Sequence, residues 1–269
     1  MKKTTLFLSL MISVGAFAQT SSNGGVVLQK GQVITAQTSS DAEIDMSMGG
    51  MKNSTVLKMK MTVIDEKPNA YILTSATTAM KMDMDGMGQT MSFDSEKQED
   101  KDSEMGKQLS GKLSKLDTIE IAKKDGKATL LSQPSEDAEN PMMMGMGNQN
   151  NGYGAAFLVI PSSAIGTTWT DSVSVKNSKT KITYTVQSVE GGVATIKQVS
   201  IMDGTNELET QGMTINMTLN MKTDAIIKVN TKNGMVLSNN ATTDMTGNMD
   251  AMGQQIPISS KITSSSTFQ

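Results

Sequence analysis

The chain has 269 residues, 24 basic and 27 acidic side chains, a formal net charge of −3, and neither cysteine nor histidine. Without these two residue types, disulfides, Ser-His-Asp and Cys-His nucleophiles, iron–sulfur clusters and ordinary zinc sites are excluded. All basic residues are lysine, which argues against a nucleic-acid partner, since such proteins need a basic stripe and usually arginine forks. Aromatic residues make up only 3%, whereas there are 25 methionines. Methionine must therefore supply much of the apolar core.

Residues 1–18 have the order of features found in a secretory signal peptide. Lys2 and Lys3 precede an apolar run, Leu6–Val14, which is followed by the small residues of Gly15–Ala18. No stretch of the chain reaches the ~20 apolar residues of a transmembrane helix. Because there is no cysteine to carry a lipid anchor, we expect a non-lipoprotein, exported to the periplasm or the cell exterior and cleaved after Ala18. Cleavage leaves 22 lysines against 27 acidic residues, a net charge of −5.

Composition divides the remaining chain into four parts. A leader rich in Ser, Asn and Gly covers 19–25 and is expected to be disordered. The first structured half covers 26–133, a low-complexity Met/Gly/Asn linker covers 134–154, and the second structured half covers 155–269.

Both halves show the period of two that is typical of β-strands. Leu57, Met59, Met61 and Val63 alternate with polar residues, and the same pattern runs from 72 to 84. In the second half Met213, Ile215, Met217, Leu219 and Met221 alternate with Thr and Asn, which an amphipathic helix cannot do. Further strands are predicted near 118–122, 127–131, 181–189, 193–201, 224–230, 235–246 and 255–268, with turns at 66–69, 124–126, 190–192 and 232–234.

One helix is predicted in the middle of the chain. Met105, Leu109, Leu113 and Leu116 lie on one helical face, so we expect a short helix over about 104–116.

Short stretches of the two halves correspond. Lys30–Thr35 is similar to Ile165–Thr170, and Met84–Gln89 is similar to Met249–Gln254. The sequence therefore predicts a mainly β protein. Its predicted fold is an antiparallel meander with an internal pseudo-duplication, curled into a half-barrel or barrel.

The motifs also resemble a known set of proteins. They are Leu28–Gln32, Ser92–Lys97, Asp125–Ala128, Ile160 with Pro161, and Ile165–Trp169. In this order, after a signal peptide, they resemble an uncharacterised family of secreted envelope proteins of Bacteroidetes-type bacteria, a domain of unknown function. The resemblance implies a location in the periplasm or on the cell surface and no established activity. In architecture alone, the predicted sheet is also similar to lipoprotein-carrier folds.

The favoured function is non-catalytic binding of a hydrophobic small molecule or another envelope protein, without a cofactor. The expected ligand lining comprises the alternating apolar residues Met59, Met61, Met80, Met82, Met84, Met213, Ile215, Met217, Leu219 and Met221. Part of this set has a plainer interpretation as core packing, because flexible methionines fill irregular interiors.

Two alternatives remain. Thioethers are soft ligands that suit Cu(I) or Ag(I), and the linker concentrates them at Met142, Met143, Met144 and Met146. A carboxylate-dependent hydrolase using Asp83 with Asp85, or Glu207 with Glu209, comes last, since charged residues beside turns are mostly solvated. The sequence does not fix the oligomeric state.

Overall fold

The computed structural model of the protein describes residues 24–47, 49–86, 88–110, 113, 115–132, 155–175, 177–210, 213–251 and 254–269. These described residues form twelve strands: β1 Val33–Met46, β2 Gly49–Glu66, β3 Ala70–Gly86, β4 Gln89–Asp94, β5 Asp117–Ala122, β6 Ala128–Leu130, β7 Thr168–Val175, β8 Ser178–Glu190, β9 Val193–Thr210, β10 Met213–Asn230, β11 Val236–Ala251 and β12 Gln254–Phe268. Two short helices, α1 Gln98–Asp102 and α2 Glu104–Ser110, lie between β4 and β5.

All strands belong to one antiparallel sheet. Its order is β6-β5-β3-β2-β1-β12-β11-β10-β9-β8-β7, with β4 also paired to β3. The first and last strands therefore lie side by side in the middle of the sheet, and the two wings carry the two halves of the chain. The predicted mainly β, antiparallel meander is confirmed.

The α1–α2 segment interrupts what is otherwise one long strand. β4 pairs with the end of β3, from Lys81 to Gly86, and β5 pairs with its beginning, from Ala70 to Ser75. In the other wing, a single uninterrupted strand, β10, pairs with the corresponding edge of β9 along its whole length. β4 and β5 together thus occupy the position that β10 holds in the second half.

The apolar core lies at one end of the sheet, which we call the base; the opposite hairpin ends are the tips. The core residues that belong to strands share one face of the sheet, which we call the inner face. The core includes Val26, Leu28, Ile34, Met61, Leu73, Ile119, Ile121, Phe157, Ile160, Val186, Ile196, Val229 and Phe268.

Contacts at the base join the two wings. The Val26 N–H donates to the Lys123 carbonyl in the β5–β6 turn at 2.6 Å, and the next N–H, of Val27, donates to the Asn233 carbonyl in the β10–β11 turn at 3.1 Å. Lys127, beside edge strand β6, lies with its Nζ 3.5 Å from Asp171 Oδ2 on edge strand β7. In a flat sheet ten strand spacings would separate these edges by roughly 48 Å. The sheet is therefore curled toward its inner face.

The curl stops short of closure. Among the strands that the structure describes, no ladder joins β6 to β7. Of the two expected forms, the half-barrel is the one observed. Register shifts near the base, at Val63/Asp65, Val186/Ser188 and Lys228/Val229, assist the curl, because bulges bend strands and increase their twist.

The helical segment differs from the prediction. The helix expected over about 104–116 ends at Ser110, and a separate helix, α1, precedes it. Leu116, predicted on the apolar helical face, is 66% exposed. Neither described helix has the length and apolar character needed to cross a membrane.

Candidate functional site

The inner face between the base and the tips is the candidate site. Strict alternation and the ladder registers decide which side chains lie on it, because directly opposite residues share a face. In this region the described inner positions of β1–β3 and β8–β12 carry no Lys, Asp or Glu. The charged residues of these strands lie on the outer face, where Glu43 and Lys52 form an ion pair at 3.0 Å.

Methionine dominates the part of the inner face nearest the tips. Nine methionines there are half-buried: Met46, Met51, Met84, Met91, Met202, Met217, Met221, Met245 and Met249. They form cross-strand neighbours, as in the pairs Met217 with Met249 and Met221 with Met245. The result is a flexible, uncharged apolar surface that retains some exposure to solvent.

Small and hydroxyl side chains lie between these methionines and the core. Several satisfy one another: Thr38 Oγ1 and Ser266 Oγ are 2.9 Å apart, and Thr223 Oγ1 and Thr243 Oγ1 are 2.8 Å apart. Ala225 and Ala241 are opposite each other in the same band. Such short side chains leave the band recessed relative to the methionines.

Within the part of the chain that the structure describes, three buried polar atoms on the inner face have no hydrogen-bond partner. They are Ser75 Oγ, Asn239 Oδ1 and Ser260 Oγ. A buried polar atom without a partner costs about 1–3 kcal/mol, so each is a position where a polar ligand atom or a water molecule is stabilising.

Three glycines show how tightly the inner face is packed near the tips. A Cβ on Gly247 would meet the Thr218 carbonyl and Leu219, one on Gly204 would meet Ser178, and one on Gly86 would meet Met51. Neighbouring side chains and backbone atoms occupy the space that a Cβ would need at these positions. A concave face leaves little room there, so each position requires glycine.

The predicted lining residues divide into two groups. Met61, Met80 and Met82 are buried, and Met61 belongs to the base core with Met59 packed against it. These residues act in packing. Met84, Met217, Leu219 and Met221 are half-buried on the inner face, where a ligand can reach them. The side chains of Met213 and Ile215, and all of Met142, Met143, Met144 and Met146, lie outside the described residues.

The structure adds residues that sequence reasoning did not place. Met245 and Met249 lie on the inner face opposite Met221 and Met217, and Met202 lies there on β9. The signal for β11 was weak because Gly247 occupies an inner position between its two methionines. For β9, Met202 stands among polar residues, so only the ladder shows its side.

Of the carboxylates considered for catalysis, Asp83 and Asp85 lie on the outer face, whereas the side chains of Glu207 and Glu209 lie outside the described residues. Asp83 and Asp85 line a shallow groove of about 330 Å³ with Asp41 and Glu43. A hydrogen bond from Ser92 Oγ, 2.7 Å from Asp83 Oδ1, lowers the pKa of that carboxyl. A hydrogen bond to Glu43 raises the pKa of Lys52. Both pKa shifts favour the charged forms of Asp83 and Lys52, whose side chains are exposed.

Tyr184 and Trp169 form a stacked pair on the inner face near edge strand β7. Their ring centroids are 5.0 Å apart and the planes differ by 17°. Burial, with a smaller contribution from the negative charge of Asp171, raises the pKa of Tyr184 to about 12. The phenol is therefore neutral at ordinary pH.

Comparisons with known proteins give a similar fold and no activity. The model of a family of unknown function (DUF6263) matches residues 138–236, just over a third of the chain. No curated protein matches. Among solved structures, one on lipid–protein interactions in lipovitellin matches with a TM-score of 0.52 and 10% identity over 90% of this chain.

The chain spans only 25% of the lipovitellin chain. Two Pseudomonas aeruginosa proteins, OccK5 (OpdH) and OccD3 (OpdP), are 7% identical over 90% and 89% of this chain and 99% and 62% of theirs. Their TM-scores of 0.28 and 0.20 are too low to indicate a shared fold. The fold is thus a curled, open antiparallel sheet similar to part of lipovitellin.

Proposed function

We propose that the protein is a non-catalytic binding protein whose inner face holds a lipid-like hydrophobic molecule. One observation carries this proposal. The described inner face of a concave sheet is uncharged and rich in methionine near the tips, while the charged residues lie on the outer face. The likeness to lipovitellin, whose structure concerns lipid–protein interactions, supports a sheet of this shape as a surface for apolar ligands.

Methionine suits such a surface for two reasons. Its unbranched side chain adopts many shapes, so one surface can accommodate acyl chains of different length. Covering the surface that a half-buried methionine still exposes contributes on the order of 1 kcal/mol. Several neighbouring methionines together can therefore offset the entropy lost when a ligand is immobilised.

The small and hydroxyl side chains between the methionines and the core extend the proposal to ligands that have a polar group. A lipid whose chain lies on the methionines can place an ester or hydroxyl oxygen near Ser260, whose own hydroxyl has no hydrogen-bond partner among the described residues. The chemistry then matches a neutral or weakly polar lipid better than a strongly charged one.

A paired set of variants tests the binding face. Met221→Gln with Met245→Gln puts two amides on the inner face at opposite positions, while Asn220→Gln with Thr246→Gln makes the same type of change at the adjacent opposite pair on the outer face. Titration with a fluorescent monoacylglycerol, a neutral lipid, and native mass spectrometry of bound lipid measure the effect. We expect at least tenfold weaker binding for the inner pair and unchanged binding for the outer pair. Equal affinities for both pairs would contradict the proposal.

We also propose that the protein acts outside the cytoplasm. The charged, apolar and small-residue order of Met1–Ala18 supports export. Mass spectrometry of protein recovered from the periplasm or medium should give a chain that begins at Gln19. Recovery of the intact chain from the cytoplasm alone would refute this location.

A further inference from the structure

We propose that Met202, Met221 and Met245 form a thioether site for a soft monovalent cation, Cu(I) or Ag(I). The site is distinct from the linker methionines and goes beyond lipid binding, although it lies on the same face. Met221 on β10 is directly opposite Met202 on β9 and directly opposite Met245 on β11. Three thioethers therefore stand in one row across three adjacent strands.

The spacing of this row suits a shared ion. Directly opposite residues in an antiparallel pair have Cβ atoms about 5 Å apart, and each methionine can move its sulfur toward the middle strand by rotation about its side-chain bonds. On a concave face the side chains converge further. The two outer thioethers can thus lean toward Met221 and meet a cation above it.

The surroundings favour a soft ion over a hard one. Around this row the described inner positions carry no carboxylate to attract Ca²⁺ or Mg²⁺, whose preferred ligands are oxygens, whereas thioethers select Cu(I). Beyond Met245 in the same row lies Ser260, 7% exposed and with its hydroxyl unpartnered. That oxygen is available as a weak additional donor or to hold a water molecule at the end of the row.

Neutral thioethers give the site a distinctive pH behaviour. Thiol and imidazole sites lose metal as pH falls, because protons compete for their ligands. A thioether has no acidic proton, so its affinity for the ion should be the same at pH 7 and pH 5. This separates the site from adventitious binding by carboxylates or by the amino terminus.

The test is a titration of the purified protein with Cu(I) in the presence of a competing chelator, repeated with Ag(I). The linker methionines Met142, Met143, Met144 and Met146 are replaced by leucine throughout, so that they do not contribute. In this background we expect one ion bound per chain, with affinity unchanged between pH 7 and pH 5. Met202→Leu, Met221→Leu and Met245→Leu together should weaken binding at least tenfold.

A matched triple variant controls for the number of methionines. Met46→Leu, Met51→Leu and Met84→Leu remove three half-buried thioethers from the same face, on β1–β3, where they do not form one row. This variant should bind the ion as the parent does. Retained affinity in the first triple variant, or an equal loss in both, would overturn the proposed site.

Leucine also separates this proposal from lipid binding. Leucine has a similar apolar volume but no sulfur, so the ion titration reports the thioethers, whereas the lipid titration reports the apolar surface. Failure of the ion site and failure of the lipid surface therefore give different results in the same proteins.

Discussion

Val63 and Val186 hold equivalent positions in the two wings of the sheet. The Val63 carbonyl accepts from the Gly31 N–H at 2.8 Å while its own N–H donates to Gln32 at 2.9 Å. The Val186 carbonyl accepts from Gly166 at 2.9 Å and its N–H donates to Thr167 at 2.9 Å. Both valines are 1% exposed, and each precedes a register shift.

The hairpin turns at the base repeat in the same way. The Gly126 N–H donates to Ala122 and the Gly234 N–H donates to Asn230, both at 2.9 Å. These matches make β2, β3, β5 and β6 of the first half equivalent to β8, β9, β10 and β11 of the second half, in that order. The similarity of residues 84–89 to 249–254 does not fit this alignment, because it joins the β3–β4 tip to the β11–β12 tip. The internal repeat is therefore shown by the matching contacts at the base of the sheet and not by the similar sequences at the tips.

The two equivalent glycines should be equally sensitive to substitution. Gly31 and Gly166 have φ of +83° and +85°, with open space where a Cβ would lie. Alanine in this left-handed region costs roughly 1–2 kcal/mol, and asparagine tolerates it better. We expect G31A and G166A each to lower the free energy of unfolding by about that amount in urea titrations, with smaller losses for G31N and G166N. G24A, at an open position without positive φ, should be neutral; a comparable loss there would contradict the backbone explanation.

The packing above Gly204 predicts a coupled pair. A Cβ at this position would meet the Cβ and hydroxyl of Ser178, so G204A should destabilise the fold by roughly 1–3 kcal/mol. S178G removes the obstruction, and the double variant should recover most of the loss in a double-mutant cycle. G50A, where the nearest atom would be 3.5 Å away, is the control and should change stability by less than about 0.5 kcal/mol. Additive effects of G204A and S178G would show that the contact is not the cause.

Tyr184 predicts an alkaline loss of stability. Its pKa is about 12 in the folded chain and about 10 when unfolded, so folding favours the neutral phenol. The contribution of the neutral phenol to the free energy of unfolding is fully present below pH 10 and is lost as the pH rises to 12. The loss amounts to up to about 3 kcal/mol, since a tenfold change in an ionisation constant corresponds to about 1.4 kcal/mol. Y184F should lack this part of the alkaline loss in urea titrations between pH 9 and 12. D171N should lower the pKa of Tyr184 only slightly in an absorbance titration, because burial is the larger cause; a return to 10 would reverse that order.

The wings should be held together by apolar packing more than by charge. The Lys127 side chain is 61% exposed and that of Asp171 is 38% exposed, and ion pairs so accessible to solvent contribute about 0–1 kcal/mol. Phe157, 5% exposed in the base core, should cost about 3–5 kcal/mol when replaced by alanine. Urea titrations of K127A and F157A compare the two directly. A larger loss for K127A than for F157A would indicate that the ion pair is the main connection.

Local alternation predicted several strands and some of their faces, but it missed the register shift at 77–79 in β3, which puts Ile72 and Met80 on opposite faces instead of one. Alternation placed Met217, Leu219 and Met221 on one face, and the turns at 66–69, 190–192 and 232–234 were predicted correctly. These features are local, so a few neighbouring residues determine them. Residues 213–221 and 224–230 were predicted as separate strands but form the single strand β10, because no breaker stands between them.

Long-range relationships were not predictable in the same way. Neither the pairing of β1 with β12 nor the meeting of Val26 and Val27 with two distant turns leaves a periodic pattern. The row of Met202, Met221 and Met245 depends on the registers of three strands, and a shift of one residue would reverse a side chain's face. The candidate site was therefore predicted strand by strand, but its assembly was not.

The seam between β1 and β12 determines when the sheet can be completed. Ala36 is opposite Phe268, and Thr35 exchanges backbone hydrogen bonds with Gln269, so partners more than 230 positions apart must find each other in the middle of the sheet. Pairings of such high contact order form slowly. Until β12 is in place, β1 and β11 lack the strand that pairs with both of them, and the two wings are not joined through the middle of the sheet.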